Sequence, residues 1–393
     1  MADFQTQAAA MAEQLVAWRR DFHQRPELGF HETRTSRVVA EHLHDLGIEV
    51  QQGVGGTGVV GIIDGVGDGP TVMLRFDMDA LPIHEINDAP YRSQHAGVMH
   101  ACGHDGHTAI GLGVATLLSR QRQRWRGRIK LVFQPAEEGL GGAMAMVRDG
   151  VLQQPAPDYA FGLHLWNQFA FGDLVIQAGP LLAAADEFRL TITGRGGHGA
   201  MPHEGIDAIV IAAQVVSALQ TIVSRQVDPT ETAVLTVGTV HGGQAFNVLA
   251  AEVVMTGTIR TFDAAVRRQV WQRMEALAQG ICQAYGAAFT LQQVGCSAPA
   301  TVNDAAAAAV MRQAAQTLTS PAHIEQIKPL MIAEDMSEFL QRVPGCFALV
   351  GAGPHPYPHH HAGFDFDERA LPVGVALLCE TAARILERPT PQV

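Results

Sequence analysis

The densest group of chemically active side chains occupies residues 99–107, which read MHACGHDGH. It combines a thiol, three imidazoles and a carboxylate. Cys102 and His104 are two positions apart, so in an extended loop both side chains can point the same way and bind one metal ion. Thiolate and imidazole suit zinc or a similar transition metal. The alternative is a loop whose histidines cap the following helix or face solvent, and the density of the cluster favours the metal site.

A second group follows a predicted strand at residues 133–139, which read FQPAEEG. Glu137 and Glu138 would repel each other, and at an ordinary surface both would be solvated. Here they leave a strand that looks buried and enter a turn rich in glycine. Such a turn can hold one carboxylate on a metal and direct the other at a bound water. Metal ions acidify water, and the second glutamate can then carry its proton.

Three further groups lie at predicted strand ends or in loops. His164 ends a strand in FGLHLW, where a lone histidine is more often part of the core. Residues 359–361 are three consecutive histidines that follow a proline-rich loop. Asp77 and Asp79 follow the predicted strand 71–76. They can bind metal, orient a ligating histidine from behind, or remain solvated at the strand end.

The elements that must position these groups alternate between helical and strand patterns. We predict strands at 58–63, 71–76, 127–133, 159–165 and 347–351, and helices at 4–24, 32–46, 107–119, 142–149, 304–318 and 371–386. This alternation indicates an α/β fold with a mostly parallel sheet that is covered on both faces. In such sheets ligands bind beyond the carboxyl ends of the strands, where the groups above are found.

The middle of the chain has a different pattern. Residues 185–295 predict the order β-α-β-β-α-β, which is the split βαβ arrangement of a ferredoxin-like unit. We therefore expect a catalytic domain formed by residues 1–184 and 296–393, interrupted by an inserted α+β domain at 185–295. A length of 393 residues also favours two domains over one.

Composition excludes several classes of protein. A formal net charge of −12 argues against nucleic acid or an anionic membrane as the main partner. No apolar run approaches the roughly 20 residues that cross a bilayer, and residues 1–20 read as an amphipathic helix rather than a secretion signal. The chain has five scattered cysteines, an odd number, which argues against a disulfide framework. We expect a cytoplasmic protein.

The motifs taken together resemble one family. MHACGHDGHT, QPAEEG, GLHLW, GRGGHGAMPHEGID and HHHAGFDFDE are similar to motifs of the hippurate hydrolase branch of the aminoacylase and carboxypeptidase-G-like dinuclear metallohydrolases. Auxin-conjugate amidohydrolases belong to the same branch. RRDFHQRPELGFHE and DMDALPI match as well, so the resemblance spans nearly the whole chain in order.

The resemblance implies roles for the residues of the catalytic domain. Cys102 would bridge two metal ions, and the remaining ligands would be His104, Glu138, His164 and His360. His360 is chosen among the three histidines because it lies four residues before Phe364, where the family has its last ligand. Glu137 would be the general base and acid, and Asp79 would orient a ligand from behind the metals.

For the inserted domain the resemblance implies a lid and a dimerisation surface, and thus a homo-oligomer, either dimer or tetramer. His198 would reach a neighbouring active site and stabilise the oxyanion of the tetrahedral intermediate. Asn247 and Arg260 would bind the free carboxylate of the substrate, a task that suits the arginine fork. The alternative is that all three are ordinary surface residues of a small domain.

The function that follows is metal-dependent hydrolysis of the amide bond of N-acyl amino acids, releasing a carboxylic acid and a free amino acid. The two divalent ions would be Mn²⁺ or Zn²⁺, although Co²⁺ or Ni²⁺ also fit this ligand set. A metallo-dipeptidase or carboxypeptidase is the alternative, and it would need a site for a free amine on the acyl side. A cysteine hydrolase based on Cys102 would leave the other candidate ligands without a task, and a metal-binding scaffold would not need Glu137.

Overall fold

The computed structural model describes residues 3–318 and 323–387, and the chain divides into two compact units. The first contains the chain up to Leu181, Val302–Lys328 and the described residues from Asp335 onward. The second contains Leu182–Thr301 and Pro329–Glu334. From the sequence we expected bounds of 185 and 295 for the inserted domain, and the last strand of the second unit runs from Ala288 to Ala298.

Helices and strands alternate along the chain in three stretches. The first stretch contains α1 (Phe4–Ala9), α2 (Ala12–Gln24), α3 (Thr33–Asp45), β1 (Glu49–Val54), β2 (Gly58–Asp64), β3 (Thr71–Asp77), α4 (His104–Ser119), β4 (Arg128–Gln134), α5 (Gly142–Arg148), β5 (Tyr159–Ala170), β6 (Leu174–Val175) and β7 (Gly179–Leu182). The second contains β8 (Ala184–Thr193), β9 (Gly197–His198), α6 (Ala208–Arg225), β10 (Ala233–Gly242), β11 (Val248–Leu249), β12 (Glu252–Thr261), α7 (Ala264–Tyr285) and β13 (Ala288–Ala298). The third contains β14 (Thr301–Asn303), α8 (Ala305–Ala315), β15 (Ile324–Glu325), α9 (Ser337–Leu340), β16 (Gly345–Gly353) and α10 (Ala370–Leu386).

The first unit is built on an eight-stranded sheet with the order β1-β2-β4-β3-β5-β16-β6-β15. Its four central strands, β4, β3, β5 and β16, are parallel to one another. Antiparallel pairs occur toward the edges, between β1 and β2, β2 and β4, and β16 and β6. The predicted α/β fold with a mostly parallel sheet is therefore confirmed for the centre of the sheet. The central strands are buried along nearly their whole length, as expected for strands covered on both faces.

Helix α4 packs closely against two neighbouring helices. A Cβ on Gly113 of this helix would lie 2.8 Å from side-chain atoms of both Leu15 in α2 and Val375 in α10, so only glycine lets the three helices approach so closely. The helix begins at His104, three residues earlier than predicted, because Gly103 takes a left-handed conformation (φ +93°) as its N-cap. His104 and His107 consequently lie in the first turn of a buried helix.

The second unit has a four-stranded antiparallel sheet with the order β10-β12-β8-β13. Helices α6 and α7 contribute apolar side chains, among them Leu219 and Met274, to one core with this sheet. The strand order is the one expected for the predicted split βαβ arrangement.

One helix of the described residues, α6, is long and apolar enough to cross a membrane by length and composition alone (mean hydropathy 1.5). A helix that packs one apolar face into a protein core satisfies the same criterion. That description fits α6, whose residues Ile211, Val215 and Leu219 are buried in the core of the second unit.

Candidate active site

The candidate site lies at the carboxyl ends of the central parallel strands. The loops that follow β3 and β4 carry Cys102 and Glu138, and His164 lies in β5 beside Leu349 of β16. Parallel strands direct their carboxyl ends to one edge of a sheet, so these segments meet there.

All five predicted metal ligands come together in the first unit. Cys102, His104 and His164 form one group, and Cys102, Glu138 and His360 form a second, each with its candidate ligand atoms within 4.8 Å of one another. Cys102 Sγ lies 3.4 Å from His164 Nε2, and His360 Nε2 lies 3.3 Å from Glu138 Oε1. Because Cys102 belongs to both groups, the geometry offers two adjacent metal positions that share one sulfur.

Hydrogen bonds behind two of the histidines set their orientation. His104 Nδ1 lies 2.9 Å from the carbonyl oxygen and 3.1 Å from the carboxylate of Asp79, and His164 Nδ1 lies 2.8 Å from the carbonyl oxygen of Leu165. These partners only accept, so each Nδ1 donates and each Nε2 presents a lone pair. Asp79 also accepts the backbone N–H of Glu138 at 3.0 Å, which ties two candidate ligands to one carboxylate.

The local electrostatics fit metal ions at this site. His104 Nε2 and Glu138 Oε1 are buried and have no hydrogen-bond partner among the described residues. Burial, reinforced by the charge of Glu138, raises the pKa of the Cys102 thiol well above its usual value. A thiolate there therefore needs a cation beside it. Burial, with His107 and His359 nearby, also holds the pKa of His164 well below its usual value, so its imidazole is neutral as a ligand requires.

The adjacent glutamates have different surroundings. Glu138 faces His360, whereas Glu137 Oε1 lies 3.4 Å from the backbone N–H of Asp335. Glu137 also forms a group within 4.8 Å with His104 and Glu138. One glutamate of the pair therefore belongs to the ligand group around Cys102, while the other lies beside it with a separate backbone contact.

The three consecutive histidines have three different environments. His360 has a left-handed backbone (φ +66°), and its N–H donates to Ala101 O at 2.8 Å, next to Cys102. His359 Nε2 lies 3.0 Å from Leu165 O. His361 stacks on Tyr357 with ring centroids 4.4 Å apart. Of the three, only His360 belongs to a candidate metal group among the described residues.

His107 is a buried residue beside the ligands whose role the sequence did not assign. His107 donates from Nδ1 to Asp77 at 2.6 Å and accepts the N–H of Leu165 at 2.9 Å, next to His164. Although burial opposes ionisation, the Arg75 guanidinium, with His104 and His107, holds the pKa of Asp77 well below its usual value. The position of His107 in the dense 99–107 cluster was the one signal for a role. Its hydrogen bond to Leu165 in β5 joins segments that are distant in sequence, so the sequence alone did not predict it.

The remaining predicted residues lie in the second unit. His198 in β9 pairs with Val248 of β11, and the N–H of the next residue, Gly199, donates to Asn247 O at 2.7 Å. The fold thus brings His198 and Asn247 side by side. Arg260 lies on a separate strand, β12, where it donates to the Thr258 hydroxyl and to Ile259 O.

Comparison with known proteins gives one consistent result. The family described as peptidase family M20/M25/M40 matches residues 73–384. N-acetyl-L-cysteine deacetylase of Bacillus subtilis (strain 168) is 40% identical to this chain and covers 96% of it and 90% of its own length. Thermostable carboxypeptidase 2 of Saccharolobus solfataricus is 41% identical, with 92% of each protein covered. The crystal structure of Bacillus subtilis YXEP, described as a dinuclear metal binding peptidase of the M20 family, superimposes with a TM-score of 0.83 at 33% identity, covering 96% of this chain and 99% of that one.

These similarities confirm the family resemblance seen in the motifs, and they confirm metal-dependent hydrolysis of amide bonds as the activity. They also agree with the two adjacent metal positions that share Cys102. The chain therefore belongs to the M20/M25/M40 peptidase family.

Proposed function

We propose that the protein releases free amino acids from N-acyl amino acids at a centre of two divalent metal ions, with Glu137 as the base. The observation that carries the proposal is the pair of ligand groups that share Cys102, beside a second glutamate from the same turn. Neither a cysteine hydrolase nor a metal scaffold requires this combination.

The proposed ligands divide between the two ions. Cys102 would bind both ions, His104 and His164 would hold one, and Glu138 and His360 would hold the other. Thiolate, imidazole and carboxylate together suit Mn²⁺ or Zn²⁺, and Co²⁺ or Ni²⁺ fit the same set. Asp79 orients the ring of His104 and accepts the backbone N–H of Glu138, so one carboxylate fixes the positions of both ligands relative to each other.

The protein's own part in the reaction is proton transfer by Glu137. When bound, the two ions supply Lewis acidity to the scissile carbonyl and lower the pKa of water. Glu137 accepts a proton from the water as its oxygen attacks the carbonyl carbon. It then gives this proton to the nitrogen of the leaving amine as the carbon–nitrogen bond breaks, so the base is regenerated. The products are a carboxylic acid and an amino acid.

Three residues of the second unit complete the proposal. His198 would reach the active site of a neighbouring subunit and stabilise the oxyanion there, and Asn247 and Arg260 would bind the carboxylate that every N-acyl amino acid carries. His198 and Asn247 lie side by side where β9 pairs with β11, which supports binding of the same substrate by both residues. Arg260 contributes a guanidinium that can bind a carboxylate with two parallel hydrogen bonds.

We also propose that the protein is a homo-oligomer that assembles through its second unit. Strand β10 is at one edge of the four-stranded sheet, and Val240 on this strand and Phe246 just after it are exposed. An exposed apolar edge strand is a template for pairing with another copy. Light scattering should show a dimer or tetramer, and Val240→Glu should shift the mass toward the monomer; a wild-type monomer would contradict this proposal.

The cysteines support a reducing compartment such as the cytoplasm. Cys102, Cys282, Cys346 and Cys379 are buried and form no disulfide. A cytoplasmic protein has no need of disulfides, since thiols remain reduced there. Fractionation of cells that express the protein would test this location.

The activity itself is tested by amino acid release from N-acyl amino acids, hippurate and N-acetylmethionine included, and from short peptides. Each substrate is assayed before chelation, after chelation and after a divalent metal is added back. We expect release from N-acyl amino acids that chelation abolishes and metal restores. Faster release from peptides would favour the carboxypeptidase hypothesis, which the name of one relative suggests. Release that continues after chelation would exclude the metal mechanism.

A further inference from the structure

The turn that carries Glu137 is tight and needs support. Residues 135–142, which we call the base turn, connect β4 to α5 and contain Glu137 and Glu138. Ala136 is buried with a positive φ of +54°, which an L-residue rarely adopts. A Cβ on Gly142 would lie only 1.7 Å from Pro135 O, so the two ends of the turn are in close contact. Such a conformation persists only when its surroundings fix it.

Three buried carboxylates hold the backbone N–H groups in and just after the base turn. Glu32 accepts from Ala136 at 2.8 Å, Asp79 accepts from Glu138 at 3.0 Å, and Asp335 accepts from Ala143 at 3.0 Å. The three carboxylates come from separate segments of the chain, and all are at most 7% exposed. Asp79 already serves the metal ligands, whereas Glu32 and Asp335 do not belong to the ligand groups around Cys102.

We propose that Glu32 and Asp335 are positioning residues, which hold the base turn from two sides and thereby aim Glu137 at the attacking water. The inference rests on the proposed role of Glu137 as the base. The carboxylate of each residue binds the backbone of the turn, and the N–H of Asp335 also lies 3.4 Å from Glu137 Oε1. Their effect passes through the backbone, because the direction of the Glu137 side chain is set by the backbone on either side of it.

The partners of the two carboxylates differ in a way that a conservative substitution can reveal. Asp335 accepts from Arg75 at 2.9 Å, from the Gln134 amide at 2.7 Å and from the Ala143 N–H, and all three are donors. Glu32 accepts from the Ala136 N–H and from the Thr57 hydroxyl. A hydroxyl can turn and accept, whereas an N–H cannot. The side-chain amide of Gln at position 32 can therefore keep both hydrogen bonds. The side-chain amide of Asn at position 335 cannot, because its NH₂ group must face another donor.

The kinetic test compares four variants of the metal-loaded enzyme. Asp335→Asn and Glu32→Ala should lower kcat about 100-fold, the size of effect expected when a reacting group is misplaced by about 1 Å. KM and the two bound metals per chain should stay unchanged. Glu32→Gln should keep kcat within about threefold, because it retains the acceptor for Ala136. The matched control is Glu338→Gln. Glu338 lies three residues after Asp335 along the chain, but its carboxylate binds Arg342 and not the base turn.

A measurement independent of activity is hydrogen exchange of the peptide that covers residues 133–144. Exchange of this peptide should rise in Asp335→Asn and Glu32→Ala and match the wild type in Glu32→Gln and Glu338→Gln. Unchanged exchange and kcat in Asp335→Asn, or metal loss that parallels the loss of kcat, would overturn the proposal. If Asp335→Asn does not fold, the two Glu32 variants still give the same comparison. If the wild type hydrolyses no substrate, the proposed function fails, and the exchange data alone decide whether the two carboxylates hold the turn.

Discussion

At the scale of single residues, the adjacent glutamates of the base turn should respond differently to the same substitution. Glu137→Gln should lower kcat by about 10²- to 10⁴-fold, the range expected for loss of a general base, with both metals retained. Glu138→Gln should release one metal, because it removes a charged ligand that faces His360. Metal analysis and kcat measured on the same samples separate the two effects. Loss of metal from Glu137→Gln would make Glu137 a ligand instead.

Cys102 provides a related prediction. The residue is the member that the two candidate ligand groups share, so Cys102→Ala should weaken binding of both ions. Titration of the metal-free variant with Zn²⁺ or Mn²⁺ would show the reduced affinity. A fully metallated and active variant would exclude a bridging role for the thiolate.

His100 makes the stability depend on pH. Burial lowers its pKa to about 4 in the folded state, and neither ring nitrogen has a hydrogen-bond partner among the described residues. Below pH 6.5 the His100 imidazole is protonated in the unfolded chain, whereas in the folded protein it stays neutral down to about pH 4. Stability is therefore lost as pH falls through this window, by about 1.4 kcal/mol per pH unit. Denaturant unfolding of metal-free wild type and His100→Asn should show the steeper loss in the wild type; parallel profiles would contradict this.

The residues that the sequence identified and those it missed differ in what defines them. Cys102, His104 and Glu138 stand in short motifs whose residue types already indicate metal chemistry. Glu32 ends the matching motif RRDFHQRPELGFHE without an assigned role and Asp335 stands in no motif, and their relevance comes from hydrogen bonds to a turn more than a hundred residues away. Local patterns do not contain that information. The Glu334-Asp335 pair among apolar neighbours was the one local signal available for the second of them.

At the scale of elements, the base turn depends on glycine at its last position. Gly142→Ala should cost about 3 kcal/mol, at the upper end for an overpacked site, and should lower kcat as well, because the new methyl group would meet Pro135 O. Gly139 is a matched control, since it has a positive φ of +69° but open space around its missing Cβ. Gly139→Ala should cost only about 1 kcal/mol. Equal costs in urea unfolding would show that the close approach at Gly142 is unimportant.

The elements themselves were largely predictable, because their patterns are periodic and bounded by glycine. The sequence predicted the central strands, most of the helices and the ferredoxin-like order of the second unit. It missed the edge strands β1 and β15 and the short strand β6 beside β15, whose sequences carry little pattern. It also placed the start of α4 three residues late, since the left-handed Gly103 and the burial of His104 depend on the metal-site fold.

At the scale of the whole molecule, metal removal should destabilise one unit selectively. All five proposed ligands lie in the first unit, so bound metal should stabilise that unit by mass action. At a free metal concentration of 100 times Kd the gain is about 2.7 kcal/mol. Hydrogen exchange with and without chelator should change in peptides around residues 99–107, 135–142 and 360, while the core peptides of α6 and α7 stay the same. A uniform change across the chain would contradict this localisation.

The position of β16 has a consequence for how the protein is made. This strand lies between β5 and β6 at the centre of the sheet, yet the entire second unit separates it from β5 along the chain. A ribosome therefore completes β5 and the whole inserted unit long before it reaches β16, and His360 emerges later still. The inserted unit can fold in the interval, which shortens the effective distance between the two halves of the sheet. Until β16 emerges, the nascent chain carries β5 as an open edge that can pair with other chains.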